Sequence, residues 1–259
     1  MEPLALAIEL ARAAGKIQLD RLGKVHQVEY KGTIDLVTEV DKQCERMIVD
    51  GIRRHFPDHD VLAEEGTGER SSSANRWIVD PLDGTVNYAH GYPLFCVCIA
   101  LEQAGQLDLG VVYEPNRDEL FVAQRGKGAT CNGRPIHVSA TSSLIEAMLA
   151  TGFAYGREAG ELAVNIPPWN QFLMRTRAVR RDGVAGADLC YLACGRFDGF
   201  WEHYLKPWDI AAGTLIVQEA GGRVTMFDGR PLDIYGTEIL ASNGALHGTM
   251  MEVLHDCDR

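Results

Sequence analysis

The sequence predicts a mixed, layered α/β protein, on three observations. Apolar residues recur at helical spacing over the first 22 residues and again from about Thr38 to His55. From Phe95 to Val138 the pattern becomes a meander of short apolar runs broken by turn residues. After about Thr141, strand-like and helix-like stretches alternate. The 259 residues, 46% of them hydrophobic, are enough to bury a large core. No fixed-period repeat and no separating linker interrupts them, so the chain reads as one compact unit with two parts. Residues 1–140 form an N-terminal α+β half, and residues 141–259 a C-terminal α/β half.

The first helix carries Leu4, Ile8, Ala11, Gly15, Leu19 and Leu22 on one stripe, and Gly23 ends it. The second carries Val40, Cys44, Met47, Ile48 and Ile52. Thr38 and Asp41 form its capping box, and Phe56-Pro57 stops it. Val61–Ala63 and Trp77–Val79 are short buried strands, and the serine-rich stretch from Glu69 to Arg76 between them is a solvated loop. Phe95–Leu101 and Leu109–Tyr113 are antiparallel strands, with turns at Gln103–Gln106 and Gly126-Lys127-Gly128. Ser143-Leu144-Ile145-Glu146 has the pattern of another capping box. Ile210, Gly213, Val217 and Ala220 make a helical stripe that ends at Gly221-Gly222.

The formal net charge of −11 argues against nucleic acid or an anionic membrane as the main partner. No apolar run approaches the roughly 18 residues of a membrane span, and Met1-Glu2-Pro3-Leu4 lacks the basic start of a signal peptide. Seven cysteines without CxxC spacing suit a reducing compartment, so the expected location is cytoplasmic. Cys96-Val97-Cys98 is read as two thiols that do not share a face of one strand, reduced core residues rather than a zinc site.

The chemistry concentrates in Asp80-Pro81-Leu82-Asp83-Gly84-Thr85, directly after the Trp77–Val79 strand. Two carboxylates three residues apart, locked by Pro81 and released by Gly84, converge on hard cations, while the N–H groups of Gly84 and Thr85 face an anion. Glu64 at the end of the preceding strand, Asp41 in a first helical turn and Asp209 at a helix start extend the acidic set. Each also has a plain reading. Asp41 and Asp209 suit a helix macrodipole, Glu64-Glu65 suits a solvated surface, and Asp83-Gly84 suits a turn. The EF-hand spacing is absent, as is a G-x-x-x-x-G-K-[ST] loop. Carboxylates with no His or Cys at ligand spacing select Mg²⁺ or Mn²⁺ over zinc, and two such ions can clamp a phosphate.

These segments together resemble the inositol monophosphatase family of lithium-sensitive, Mg²⁺-dependent phosphatases. The match runs through Asp35-Leu36-Val37-Thr38-Glu39-Val40-Asp41, Ala63-Glu64-Glu65-Gly66, Trp77 to Tyr88, Trp208-Asp209-Ile210-Ala211-Ala212-Gly213 and Gln218 to Gly222. The resemblance implies an αβαβα sandwich and a homodimer. It implies two to three Mg²⁺ per site, with Mn²⁺ as a substitute. Glu64, Asp80 and the Leu82 carbonyl would hold the first ion, and Asp80, Asp83 and Asp209 the second. Glu64 and Thr85 would orient a metal-bound water for in-line attack on phosphorus, with Asp41 supporting Thr85 and a weaker third ion. Asp83, Gly84, Thr85 and Asp209 would contact the substrate, and Lys31-Gly32 would match a loop that closes over the metals.

The implied substrate is inositol monophosphate or a related small polyol phosphate, its alcohol half read by Glu202 and the backbone of Ala185. Histidinol phosphate and fructose 1,6-bisphosphate are the alternatives in the same family, with a 3′-phosphoadenosine nucleotide less favoured because no extra segment is visible for a base. From another class, the fold could serve a non-catalytic regulatory partner. Val184 stands where the family usually has Ser or Thr. Arg180-Arg181 suits an anionic group, a dimer contact or plain exposure, while His203, Trp169 and Trp201 suit packing.

Overall fold

The computed structural model describes residues 1–24, 28–30, 36–66, 73–154 and 163–257. Lys31-Gly32, Asp35 and residues 69–72 of the serine-rich stretch lie outside them, and Asn75 and Arg76, expected in that loop, belong to the strand that follows. In chain order the first elements are α1 (Pro3–Arg21), β1 (Val28–Tyr30), β2 (Leu36–Thr38), α2 (Glu39–His55), β3 (Asp60–Ala63), β4 (Asn75–Asp83) and α3 (Thr85–Ala89). The meander follows as β5 (Cys96–Gln103), β6 (Gln106–Glu114), β7 (Glu119–Gln124), β8 (Ala129–Cys131) and β9 (Arg134–Pro135). The rest is β10 (Met148–Thr151), α4 (Ile166–Arg175), β11 (Ala178–Arg180), α5 (Ala185–Ala193), β12 (Gly199–His203), α6 (Pro207–Glu219), β13 (Arg223–Thr225), β14 (Glu238–Ser242) and α7 (His247–Cys257).

The strands β3 to β9 lie side by side in one sheet, antiparallel except for the parallel β3–β4 pair. Ala104 and Gly105 both take positive φ, as the tight β5–β6 hairpin requires. A second sheet has the order β11-β10-β12-β14-β13, parallel on one side and antiparallel on the other. Alternation along the strands sends side chains to opposite layers. In β5, Val97, Ile99 and Leu101 pack with α1 and α2, while Cys96, Cys98 and Ala100 pack with α5 and α6. In the second sheet, Ala150 and Phe200 join that middle helix layer, whereas Leu149 and Trp201 pack under Phe172 of α4 and Met250 of α7. The result is the five-layer αβαβα arrangement.

Because α6 lies between two sheets, Ile210 through Val217 are all buried, so the helix has no solvent face and the expected single stripe is too narrow. Gly110 of β6 lets it approach closely: an added Cβ would stand 2.7 Å from the Ala212 carbonyl oxygen. The α1 stripe is also displaced. Its buried residues are Leu6, Ala7, Leu10, Ala11, Ala14, Gly15 and Gln18, while Leu19 is exposed. Thr38 and Asp41 do form the capping box of α2. Ser143 does not cap a helix; Leu144–Glu146 is one 3₁₀ turn, and the chain enters β10 two residues later.

His247 at the start of α7 is fully buried, with Nε2 2.9 Å from the Thr225 hydroxyl and Nδ1 2.8 Å from the Ser242 hydroxyl. Burial pushes its pKa down to about 4, with the Arg223 charge adding to the effect. Between that value and the ordinary 6.5 the unfolded chain binds the extra proton, so the contribution is intact above the higher value and is lost as pH falls. Urea unfolding of His247→Gln should therefore show a shallower loss of stability on acidification, by up to about 1.4 kcal/mol per pH unit. Parallel pH profiles for the two proteins would refute this.

Candidate active site

Strand β4 does not stop at Val79; it continues to Asp83, with a register shift against β5 between Asp80 and Asp83. The bulge lets both carboxylates face the middle layer, where regular alternation would have separated residues three apart. Asp80 pairs across the ladder with Cys98, and Asp83 with Cys96. Gly84 then takes φ +93 and α3 begins at Thr85, as expected for a turn that opens a new segment.

One cleft is lined by Glu64, Asp80, Leu82, Asp83, Gly84, Thr85, Arg181, Val184, Ala185, Glu202 and Asp209. The acidic residues reach it from separate elements. Glu64 follows β3, and its N–H bonds the Val79 carbonyl at 3.3 Å. Asp209 sits in the first turn of α6, accepting from the Lys206 N–H at 2.7 Å. Glu202 comes from β12 and is buried against Gly152, where an added Cβ would stand 2.1 Å from Oε1. Ala185 starts α5, supported by the bond from the Gly186 N–H to Asp83 Oδ2 at 2.7 Å. Asp41 is fully buried beneath the cleft. The Thr85 hydroxyl donates to its Oδ1 at 2.9 Å, and the Thr38 N–H to its Oδ2 at 3.0 Å.

Burial pushes Asp80 well above the ordinary carboxylate range, and the charges of Glu64, Asp83 and Asp209 push the same way. Burial raises Asp83 to about 7, against the Gly186 hydrogen bond that favours its ionised form. Burial also raises Glu202, with the Asp209 charge adding and the Arg181 charge opposing. Asp41 is raised by burial although Thr38 and Thr85 stabilise its charge. Hard oxygen donors that repel one another in one cleft fit a divalent cation, which reverses each of these penalties.

Several residues that hold the site were not predicted. The Gln18 side-chain amide donates to the Pro81 carbonyl at 2.8 Å, and the Tyr88 hydroxyl to the Gln18 carbonyl at 2.7 Å. Glu45 Oε2 accepts from the Glu65 N–H at 2.6 Å. The signal available was a polar residue on the apolar face of each helix. Asn87 Nδ2 donates to the carbonyls of Leu94 and Asp182, tying α3 to the segment before α5. Val184 packs on the Gly84 turn: a Cβ on Gly84 would stand 2.8 Å from its Cγ2. Arg181, exposed as one reading had it, also borders the cleft near Glu202. Trp201 packs on Phe172 and donates to Asn165, which bears out a packing role. Cys96 and Cys98 do share a face, their sulfurs 3.7 Å apart, because residues two apart on a strand point the same way.

The inositol monophosphatase family model matches residues 1–259, and the chain belongs to that family. It is 47% identical over 254 residues to an inositol-1-monophosphatase of a Synechocystis species, covering 97% of this chain and 88% of that one. It is 39% identical over 257 residues to the fructose-1,6-bisphosphatase/inositol-1-monophosphatase of Thermotoga maritima, covering 99% and 97%. The structure of an inositol monophosphatase from an Anabaena (Nostoc) species superposes with a TM-score of 0.89 at 44% identity, covering 98% of this chain and 95% of that one. The protein is thus a phosphatase of a metal-dependent family. None of its described helices is long and apolar enough to cross a membrane.

Two outcomes follow. Gly84→Ala should cost about 1–3 kcal/mol in chemical denaturation, because it adds a strained left-handed residue and meets Val184; a change near zero would contradict the packing. Asp83, raised by burial from 3.8 to about 7, keeps a proton in the folded chain that the unfolded chain has lost, so its contribution to the stability of the metal-free chain falls as pH rises from about 4 to about 7. Added Mg²⁺ should then raise the melting temperature more at the higher pH, and an equal or smaller rise there would contradict the electrostatic account.

Proposed function

We propose that this protein is a Mg²⁺-dependent phosphomonoesterase that hydrolyses inositol monophosphate to inositol and phosphate. The observation that carries the reading is the single cleft in which Glu64, Asp80, Asp83 and Asp209 meet the Gly84–Thr85 turn and Glu202. Glu64, Asp80 and the Leu82 carbonyl hold one cation in this reading; Asp80, Asp83 and Asp209 hold a second. Bound there, Mg²⁺ neutralises phosphate charge and activates water. Glu64 and the Thr85 hydroxyl orient the attacking water, and Asp41 fixes that hydroxyl from below. The N–H groups of Gly84 and Thr85 hold phosphate oxygens. Glu202 accepts from a hydroxyl of the alcohol half, beside the Ala185 backbone. A substrate lacking that hydroxyl leaves a buried acceptor unpaired, which gives the cleft its preference for polyols.

Arg181 at the cleft edge supports a second substrate, a sugar bisphosphate whose distal anion it would meet. The name of the Thermotoga relative points the same way. A homodimer in the cytoplasm and inhibition by lithium belong to the same reading, and rest on the family resemblance.

Phosphate release from inositol 1-phosphate, histidinol phosphate and fructose 1,6-bisphosphate, each with and without Mg²⁺, tests the assignment. Turnover should require Mg²⁺ and be fastest on inositol 1-phosphate, and Asp83→Asn should reduce it by at least about 10²-fold. Activity retained in that variant would overturn the role of Asp83. If no phosphomonoester is cleaved, the non-catalytic regulatory reading replaces this one.

A further inference from the structure

The two thiols on β5 bear on which metals this cleft accepts. Cys96 Sγ lies 3.7 Å from Cys98 Sγ and 3.7 Å from Asp83 Oδ2, and these three atoms all fall within 4.8 Å of one another. Two thiolates each about 2.3 Å from a tetrahedral zinc stand about 3.8 Å apart, so the sulfur spacing already matches a zinc edge. The arrangement is fixed by the backbone. The β4–β5 ladder sets Asp83 opposite Cys96, and alternation places Cys98 on the same face. Gly186 closes the group from α5: a Cβ there would stand 2.4 Å from Cys98 Sγ, 3.1 Å from Asp83 Oδ2 and 3.2 Å from Cys96 Sγ. Cys96 and Cys98 are buried, while Asp83 borders the open cleft and gives an ion its way in.

We propose that Asp83, Cys96 and Cys98 form a soft-metal site that takes Zn²⁺ or Cd²⁺, a function distinct from the hard-cation chemistry of the carboxylates. Three protein donors leave the fourth tetrahedral position for water. Binding replaces two S–H bonds with two metal–sulfur bonds and releases both protons to solvent, with no change of oxidation state. Mg²⁺ does not compete for the sulfurs, since it takes oxygen ligands. A zinc ion that draws Asp83 Oδ2 toward the sulfurs takes that oxygen from a second Mg²⁺, so a thiophilic ion lowers activity by competing for one carboxylate. This inhibitory consequence rests on the proposed role of Asp83, whereas the binding itself does not.

The test uses reduced full-length protein titrated with Cd²⁺, followed by the ultraviolet thiolate-to-cadmium charge-transfer band. One ion per chain should bind with that band. Affinity should fall by about a hundredfold or more in C96S/C98S, and stay unchanged in C257S. An unchanged band in the double variant overturns the site. Should the double variant fail to fold, the single variants C96A and C98A must each weaken the band, and an intact band in both overturns it equally. Saturating Mg²⁺ should weaken cadmium binding to the unaltered chain, and indifference to Mg²⁺ overturns the shared use of Asp83. In phosphate-release assays, zinc should inhibit the unaltered chain competitively with Mg²⁺ and inhibit C96S/C98S far less. If no protein turns over any phosphomonoester, the phosphatase reading fails and the absorbance titration still decides the site.

Discussion

Mutual repulsion among carboxylates at the end of β4 is the constraint around which the rest of the molecule is arranged. Asp80 is buried within the fields of Glu64, Asp83 and Asp209, an arrangement that costs the metal-free fold stability. Neutral donors orient the group without discharging it. The Leu82 N–H holds Asp80 at 2.9 Å, the Gly186 N–H holds Asp83, and the Gln18 amide holds the Pro81 carbonyl between them. Backbone and amide dipoles fix direction and leave the net negative charge in place, which is what a cation site requires.

Layering delivers these groups to one point. β4 and the β3 end come from the first sheet, α5 and α6 from the layer between the sheets, and β12 from the second sheet. Their meeting depends on close approach across the middle layer. Gly213 of α6 faces Leu189 of α5, where an added Cβ would stand 2.7 Å from the leucine side chain. A larger residue there would move Asp209, four positions earlier on the same helix, relative to Asp80. Small residues far from the chemistry thus set the distances within it.

Much of this was legible in the sequence, because the signals were local. The α2 capping box, the hairpin at Ala104-Gly105 and the turn at Gly84 each follow from the preferences of a few adjacent residues. The acidic set was legible through its positions at element ends, strengthened by resemblance. What escaped depended on tertiary partners. Gln18 reads as one polar position in a helix until β4 lies beneath it. The all-round burial of α6 requires knowing that sheets cover both its sides. Ser143 has a capping residue's chemistry, yet Ala147 accepts hydrogen bonds from Arg177 and Ala178, which commits the chain to a strand. The shared face of the cysteine pair follows from the period of two along a strand, whereas its closeness to Asp83 depends on the bulge in β4.

The double attachment of Asp41 ties a helix start to the cleft. One oxygen of this carboxylate closes the first turn of α2, and the other steadies the Thr85 hydroxyl. Helix ends are the first part of a helix to fray. When that turn opens, the Thr85 hydroxyl loses this partner and keeps the Leu82 carbonyl, to which it also donates at 3.2 Å. One carboxylate thus couples the start of α2 to the Thr85 side of the cleft, so that a change at either is felt at the other.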